Sequence, residues 1–253
     1  MSLINMKPKQ KYFKHSVDIV LTCLLLCLMA YQVTGEWLHE WLGIGMTVLV
    51  IIHQILNRKW YGTLLKGKYK AYRVLQLVIN ILLLLSFALT AFCGMAMSAH
   101  AVPFLYGMVP VLFARQMHLS FSHWSFVLMG VHIGLHIPAM TAKMKLSPKA
   151  KTVLQFVFCL IAGCGLYFFL KNNMHTFLVF GASFAFMDYE LNAVFVFIQN
   201  ILALLFWVFF GTWGAWLAKN AKKHNAKSIA FHVIYIAVSV ILGIVLYVLI
   251  PSF

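Results

Sequence analysis

The stretch TGEWLHEWLGIGMTVLVIIHQILNRKW, residues 34–60, carries two histidines in an apolar run. Between Glu40 and Arg58 the only ionisable residue is His53. A run of about 20 apolar residues crosses a bilayer as a helix. Ionisable groups within such a run are costly and call for a function. His39 and His53 are 14 residues apart. At 100° per residue that spacing falls about 40° short of four turns and rises about 21 Å, so both rings share one face near opposite ends of the span. A second stretch, RQMHLSFSHWSFVLMGVHIGLH at residues 115–136, places His118 and His132 at the same spacing.

The rest of the chain fits the same solvent. Its 253 residues are 63% hydrophobic and only 10% charged, with mean hydropathy +0.89. A soluble domain needs more surface charge, so the expectation is an all-α integral membrane protein in a lipid bilayer, where helices satisfy their own backbone. Seven spans are expected, near residues 16–34, 38–57, 71–98, 117–140, 152–170, 191–218 and 228–250. The formal charge of +15 falls in short clusters between apolar runs and forms no basic face with interleaved aromatics, so no nucleic-acid partner is expected. The cysteines (Cys23, Cys27, Cys93, Cys159, Cys164) all sit in apolar runs without a CxxC or CxxCH pattern. That spacing supports neither covalent haem attachment nor a zinc site. The basic, then apolar N-terminus lacks a small-residue cleavage pattern and reads as the first span.

Eighteen of the twenty Lys and Arg lie before the first span or between spans two and three, four and five, and six and seven. Only Arg115 and Lys171 fall on the opposite side. The positive-inside rule then puts the N-terminus in the cytoplasm and the C-terminus outside. Four of the five acids, Glu36, Glu40, Asp188 and Glu190, fall at the outer ends. Residues 174–187 are apolar but short, and read as an interfacial or re-entrant segment on the outer side. Two regions are expected: a four-helix module over 1–145 and three C-terminal helices over 146–253.

Spans two and four run in the same direction, and in an up-down bundle they face each other diagonally. His39 would meet His118 near the outer surface, and His53 would meet His132 near the inner one. Each pair offers two imidazoles to one haem iron. His136 lies one turn past His132 and is the alternative inner ligand or a propionate partner. Gly43, Ser122 and Ser125 are small residues near the histidine stripes, with room for a flat macrocycle. Arg115 is the expected propionate partner at the outer end, with Arg58 and Arg73 available at the inner. His123 points about 140° away from His118 and reads as structural. His100, His175, His15, His224 and His232 read as surface residues. In span six, Gln199 and Asn200 among many aromatics offer either plain packing or a quinone pocket. A polar cluster lining a proton or ion path is the main rival to haem ligation.

These two histidine stretches, with FAFMDYE at residues 184–190, resemble the flavinylation-associated cytochrome family of bacteria. The resemblance covers nearly the whole chain and is most specific in His39, His53, Asn57, Trp60, Arg115, His118, His132 and His136. His123 departs from the family's pattern, where an aromatic stands. The two-haem arrangement is also similar to the core of quinol-oxidising cytochrome b. The resemblance implies two non-covalent b-type haems in a bacterial cytoplasmic membrane, passing electrons to extracytosolic proteins that carry covalent FMN. Two alternatives stand beside it: the haem-bearing anchor of a quinone-linked hydrogenase or dehydrogenase, and a haem-free transporter or assembly factor. The equal spacing in spans two and four also fits an old internal duplication.

Overall fold

The computed structural model describes residues 8–141, 144–185, 187–220 and 226–250. Lys7, Lys143, Phe186, Lys222, Lys223 and His224 lie outside the described residues. The described elements are helices: α1 (Pro8–Met29), α2 (Tyr31–Leu56), α3 (Ala71–Met95), α4 (Val111–Thr141), α5 (Pro148–Lys171), α6 (Met174–Leu178), α7 (Ala193–Asn220) and α8 (Ala226–Leu249), with single 3-10 turns at Tyr61–Thr63 and Pro103–Leu105. Seven of them are long and apolar enough to cross a membrane. Large apolar side chains such as Val48, Ile51, Leu82, Leu85, Val153 and Leu154 point outward, as a lipid solvent requires. The chain is a multi-pass membrane protein.

The first two boundaries differ from expectation. α1 stops at Met29, and α2 begins at Tyr31, not at residue 38. The break is Ala30, at φ −94° and ψ 46°. Gly35 then bends α2 at φ 67° and ψ 173°, a left-handed φ that glycine adopts without steric cost. The apolar pattern runs across both points, so periodicity alone did not separate them. At α5 the start is written in the chain: Ser147 caps it by accepting from the Ala150 N–H at 3.2 Å, and Pro148 opens the first turn.

Side-chain pairings set the helix directions. Asp18 midway along α1 meets His53 late in α2, while Leu28 at the end of α1 lies by His39 nearer the start of α2, and Tyr72 early in α3 bonds the Leu135 carbonyl late in α4, so both pairs are antiparallel. Gly130 and Gly134 of α4 face Leu204 and Val208 of α7, so these two run parallel. Cys159 and Gly163 of α5 face Tyr235 and Leu242 of α8, also parallel. Phe158 meets Phe209 and Phe168 meets Phe195, so α5 and α7 are antiparallel. The 174–187 segment therefore returns to the end it left. The last turns of α2, α4 and α7 share one end of the bundle with the start of α1. We call this the basic end, and the opposite one the acidic end.

α4 is the central helix, packed against α3 on one flank and α7 on the other. Gly134 and Gly211 let α4 and α7 meet backbone to backbone, since a Cβ built on Gly134 would lie 2.8 Å from Gly211 Cα. Small residues at such interfaces are how membrane helices gain close packing. The principal apolar core draws on α1, α2, α4, α5, α7 and α8 together. The two modules expected on either side of residue 145 therefore share one core. By contrast α2 has little backbone contact with α3, and none of note with α4. That loose flank is where the histidines gather.

Candidate cofactor site

Near the acidic end, the rings of His39 and His118 lie 6.0 Å apart, centre to centre, at 73°. Two imidazoles bound end-on to one metal through bonds of roughly 2 Å have their centres roughly 6 Å apart. The His118 Nδ1–H donates to the Thr90 carbonyl at 2.9 Å, because a carbonyl only accepts. This leaves His118 Nε2 with its lone pair free. Metal-bound histidines usually give their other N–H to such an acceptor. Gly94, one turn beyond Thr90, seats the same ring: a Cβ there would come within 3.0 Å of His118 Cε1. His39 rests against the Tyr31 ring at 5.0 Å, and its buried Nδ1 has no hydrogen-bond partner. The Leu28 carbonyl lies beside the His39 ring.

Near the basic end, the His53 Nδ1–H donates to Asp18 Oδ1 of α1 at 2.9 Å. His132 Nδ1 pairs with Asn80 Oδ1 of α3, also at 2.9 Å. Among the described residues neither Nε2 has a hydrogen-bond partner. This pair is more open than the other. His132 contacts the ring of His136 at 5.0 Å, and among the described residues His53 and His132 make no ring contact. His136 is exposed at the same opening. Between the two histidine levels, a Cβ on Gly43 would meet nothing within 4 Å, so the α2 face is hollow there. On α4 the intervening Ser122 hydroxyl bonds back to the Leu119 carbonyl, and the Ser125 hydroxyl is buried without a partner.

The other sequence candidates fall into place. Arg115 is exposed and lies over the Phe184 ring at 5.3 Å. Arg73 lies over Tyr69 and bonds the Thr63 carbonyl, so it braces the α2–α3 linker. His123 stacks on Phe177 at 4.3 Å and donates to the Leu119 carbonyl, a packing role on the far face of α4. Gln199 accepts from Asn172 at 3.0 Å, and Gln199 and Asn200 are both buried, so this pair braces α5 against α7. Two cavities of about 180 and 150 Å³ lie further along α7, both walled by Trp213 and Trp216.

Sequence reasoning missed Asp18, Asn80, Thr90 and Gly94. Asp18 had a signal, as the one acid within an apolar run away from the outer ends. Asn80, one of two amides in the third span with Gln76, had a weaker one. A carbonyl acceptor such as that of Thr90 has none, since every residue carries one. At the acidic end Glu40 also gained a role: it accepts from the Ser98 hydroxyl and the Ala99, His100 and Ala101 N–H groups at 2.7–2.9 Å. This ties α2 to the α3–α4 linker beside His39.

The donor set suits a haem: four imidazoles at two depths, three with Nδ1 held by an acceptor, around a hollow face. No protein-family model, curated protein or solved structure matches the chain.

Proposed function

We propose that this protein carries electrons across the membrane, with His39 and His118 holding one b-type haem and His53 and His132 the other. When bound, the haems supply one-electron redox centres. The chain's part is to hold, space and tune them. The observation that carries the reading is the pairing of His39 with His118 at a two-ligand distance, with Thr90 fixing the His118 tautomer. His123 shows that a held Nδ1 alone fits plain packing; what packing does not account for is the His39 ring set 6.0 Å from that of His118. His136 sits one turn past His132 and is suited to a propionate. Lys14 of α1 and Lys219 of α7 supply cations at that end. Arg115 serves the opposite one.

We place the basic end in the cytoplasm, by the charge rule, of a bacterial membrane. The resemblance supports an extracytosolic flavoprotein as the electron acceptor. A quinone would enter from the lipid. The test is the reduced-minus-oxidised spectrum of purified protein, with haem content per chain. A sharp haem b band and about two haems are expected, falling to about one in each of His39→Ala, His53→Ala, His118→Ala and His132→Ala. A flat spectrum from haem-replete cells would end the reading.

A further inference from the structure

The four ring N–H positions differ in what backs them. His53 Nδ1 meets a carboxylate, Asp18 Oδ1, at 2.9 Å. His132 meets a neutral amide oxygen and His118 a neutral peptide carbonyl. His39 Nδ1 has no hydrogen-bond partner. A hydrogen-bonded carboxylate makes an imidazole more basic and fixes its orientation. A stronger donor favours the oxidised metal, and ligand basicity and burial are the protein's levers on potential.

We infer that Asp18 is a positioning residue for the basic-end site, aiming His53 Nε2 and setting that site's potential below that of the acidic-end site. The inference rests on the haem reading above. Asp18 belongs to α1, whose Val17, Leu21 and Leu25 are buried in the core beside it. Its other carboxylate oxygen lies 4.0 Å from His15 Nδ1, so the carboxylate is held between two rings of different helices. Lys14 and Lys219 bring opposing positive charge to this end. Lys219 is exposed and lies over the Tyr72 ring at 4.0 Å, and exposed charge is screened by water and salt. Asp18 acts through a direct bond to the ligand itself. The consequence is a step in potential from the basic to the acidic end, down which an electron leaving the first site reduces the second.

The test is a redox titration of purified wild type, Asp18→Asn and Asp18→Glu, with His53→Ala and His39→Ala assigning the two components. His53→Ala should remove the lower-potential component and His39→Ala the higher. Asp18→Asn should keep two haems and raise only the lower component, by a tenfold change in redox equilibrium or more, about 59 mV for one electron. Asp18→Glu should restore most of the shift. An unmoved lower component, movement of the upper one, or loss of the upper one in His53→Ala would overturn the inference while leaving the haem reading intact. Where Asp18→Asn fails to retain haem, Asn80→Asp decides: a carboxylate on His132 should lower the same component, and no shift overturns the idea. Haem-free wild type overturns both, and is told apart by its flat spectrum.

Discussion

At the scale of single residues, the candidate ligands are specified less by their own positions than by what stands behind them. His118 is the clearest case. Its ring packs tightly against the bare Gly94, and its orientation holds because the Thr90 carbonyl accepts its Nδ1–H. Gly94→Val should therefore push the ring off Thr90 without touching any ligand. The expected result is a 10–100-fold weaker haem affinity at the acidic-end site, as for other lost backing groups, with the second haem retained. Gly94→Ala needs the ring to give by only a few tenths of an ångström, since the new Cβ would sit 3.0 Å from Cε1. It should keep both haems and shift one component's midpoint. Spectroscopic titration of haem into the two variants checks the pair. The histidines themselves were legible, because a costly residue at a repeated spacing stands out. Thr90 and Gly94 were not, since a backbone acceptor and an absent side chain leave no chemical mark on a sequence.

At the scale of elements, the close-packed and the loose flanks make different demands. α4 and α7 touch through Gly134 and Gly211, where any side chain would strike backbone atoms of the other helix. Gly211→Leu must drive the helices apart, and overpacking of this kind costs about 1–3 kcal/mol or more. A lower melting temperature in detergent is expected, with haem lost from both proposed sites together, because α4 carries a candidate ligand of each. Gly45 of α2 faces open space, so Gly45→Ala should leave melting unchanged or slightly raised. Equal melting of the two variants would show that the α4–α7 contact is not close. Gly35 is a third kind: at φ 67° and ψ 173°, a region essentially reserved to glycine, an alanine is strained by roughly 1–3 kcal/mol, whatever the room around it. The seven spans were readable from apolar length alone. The break at Ala30 was not, because helix and kink share one apolar pattern. The central place of α4 was also hidden, since periodicity marks an apolar face without saying which helix covers it.

At the scale of the whole molecule, charge and site chemistry point along the same axis. α2, α4 and α7 end at the basic end of the bundle, while Glu36, Glu40, Asp188 and Glu190 gather at the other. Asp18 alone breaks that pattern, and it does so in contact with a candidate ligand. If the charge rule orients the protein, the site backed by a carboxylate faces the cytoplasm and the one backed by neutral groups faces out. The orientation is testable without any cofactor. A single cysteine in place of Lys68, in the α2–α3 linker, and another in place of Asn192, before α7, lie at opposite ends. The native thiols lie in the helices, away from these linkers, so a membrane-impermeant maleimide should favour the new ones. In intact cells Asn192→Cys should label at once, and Lys68→Cys only after permeabilisation. The reverse pattern would turn the molecule over, put Asp18 on the extracytosolic side, and make the potential step an inward one.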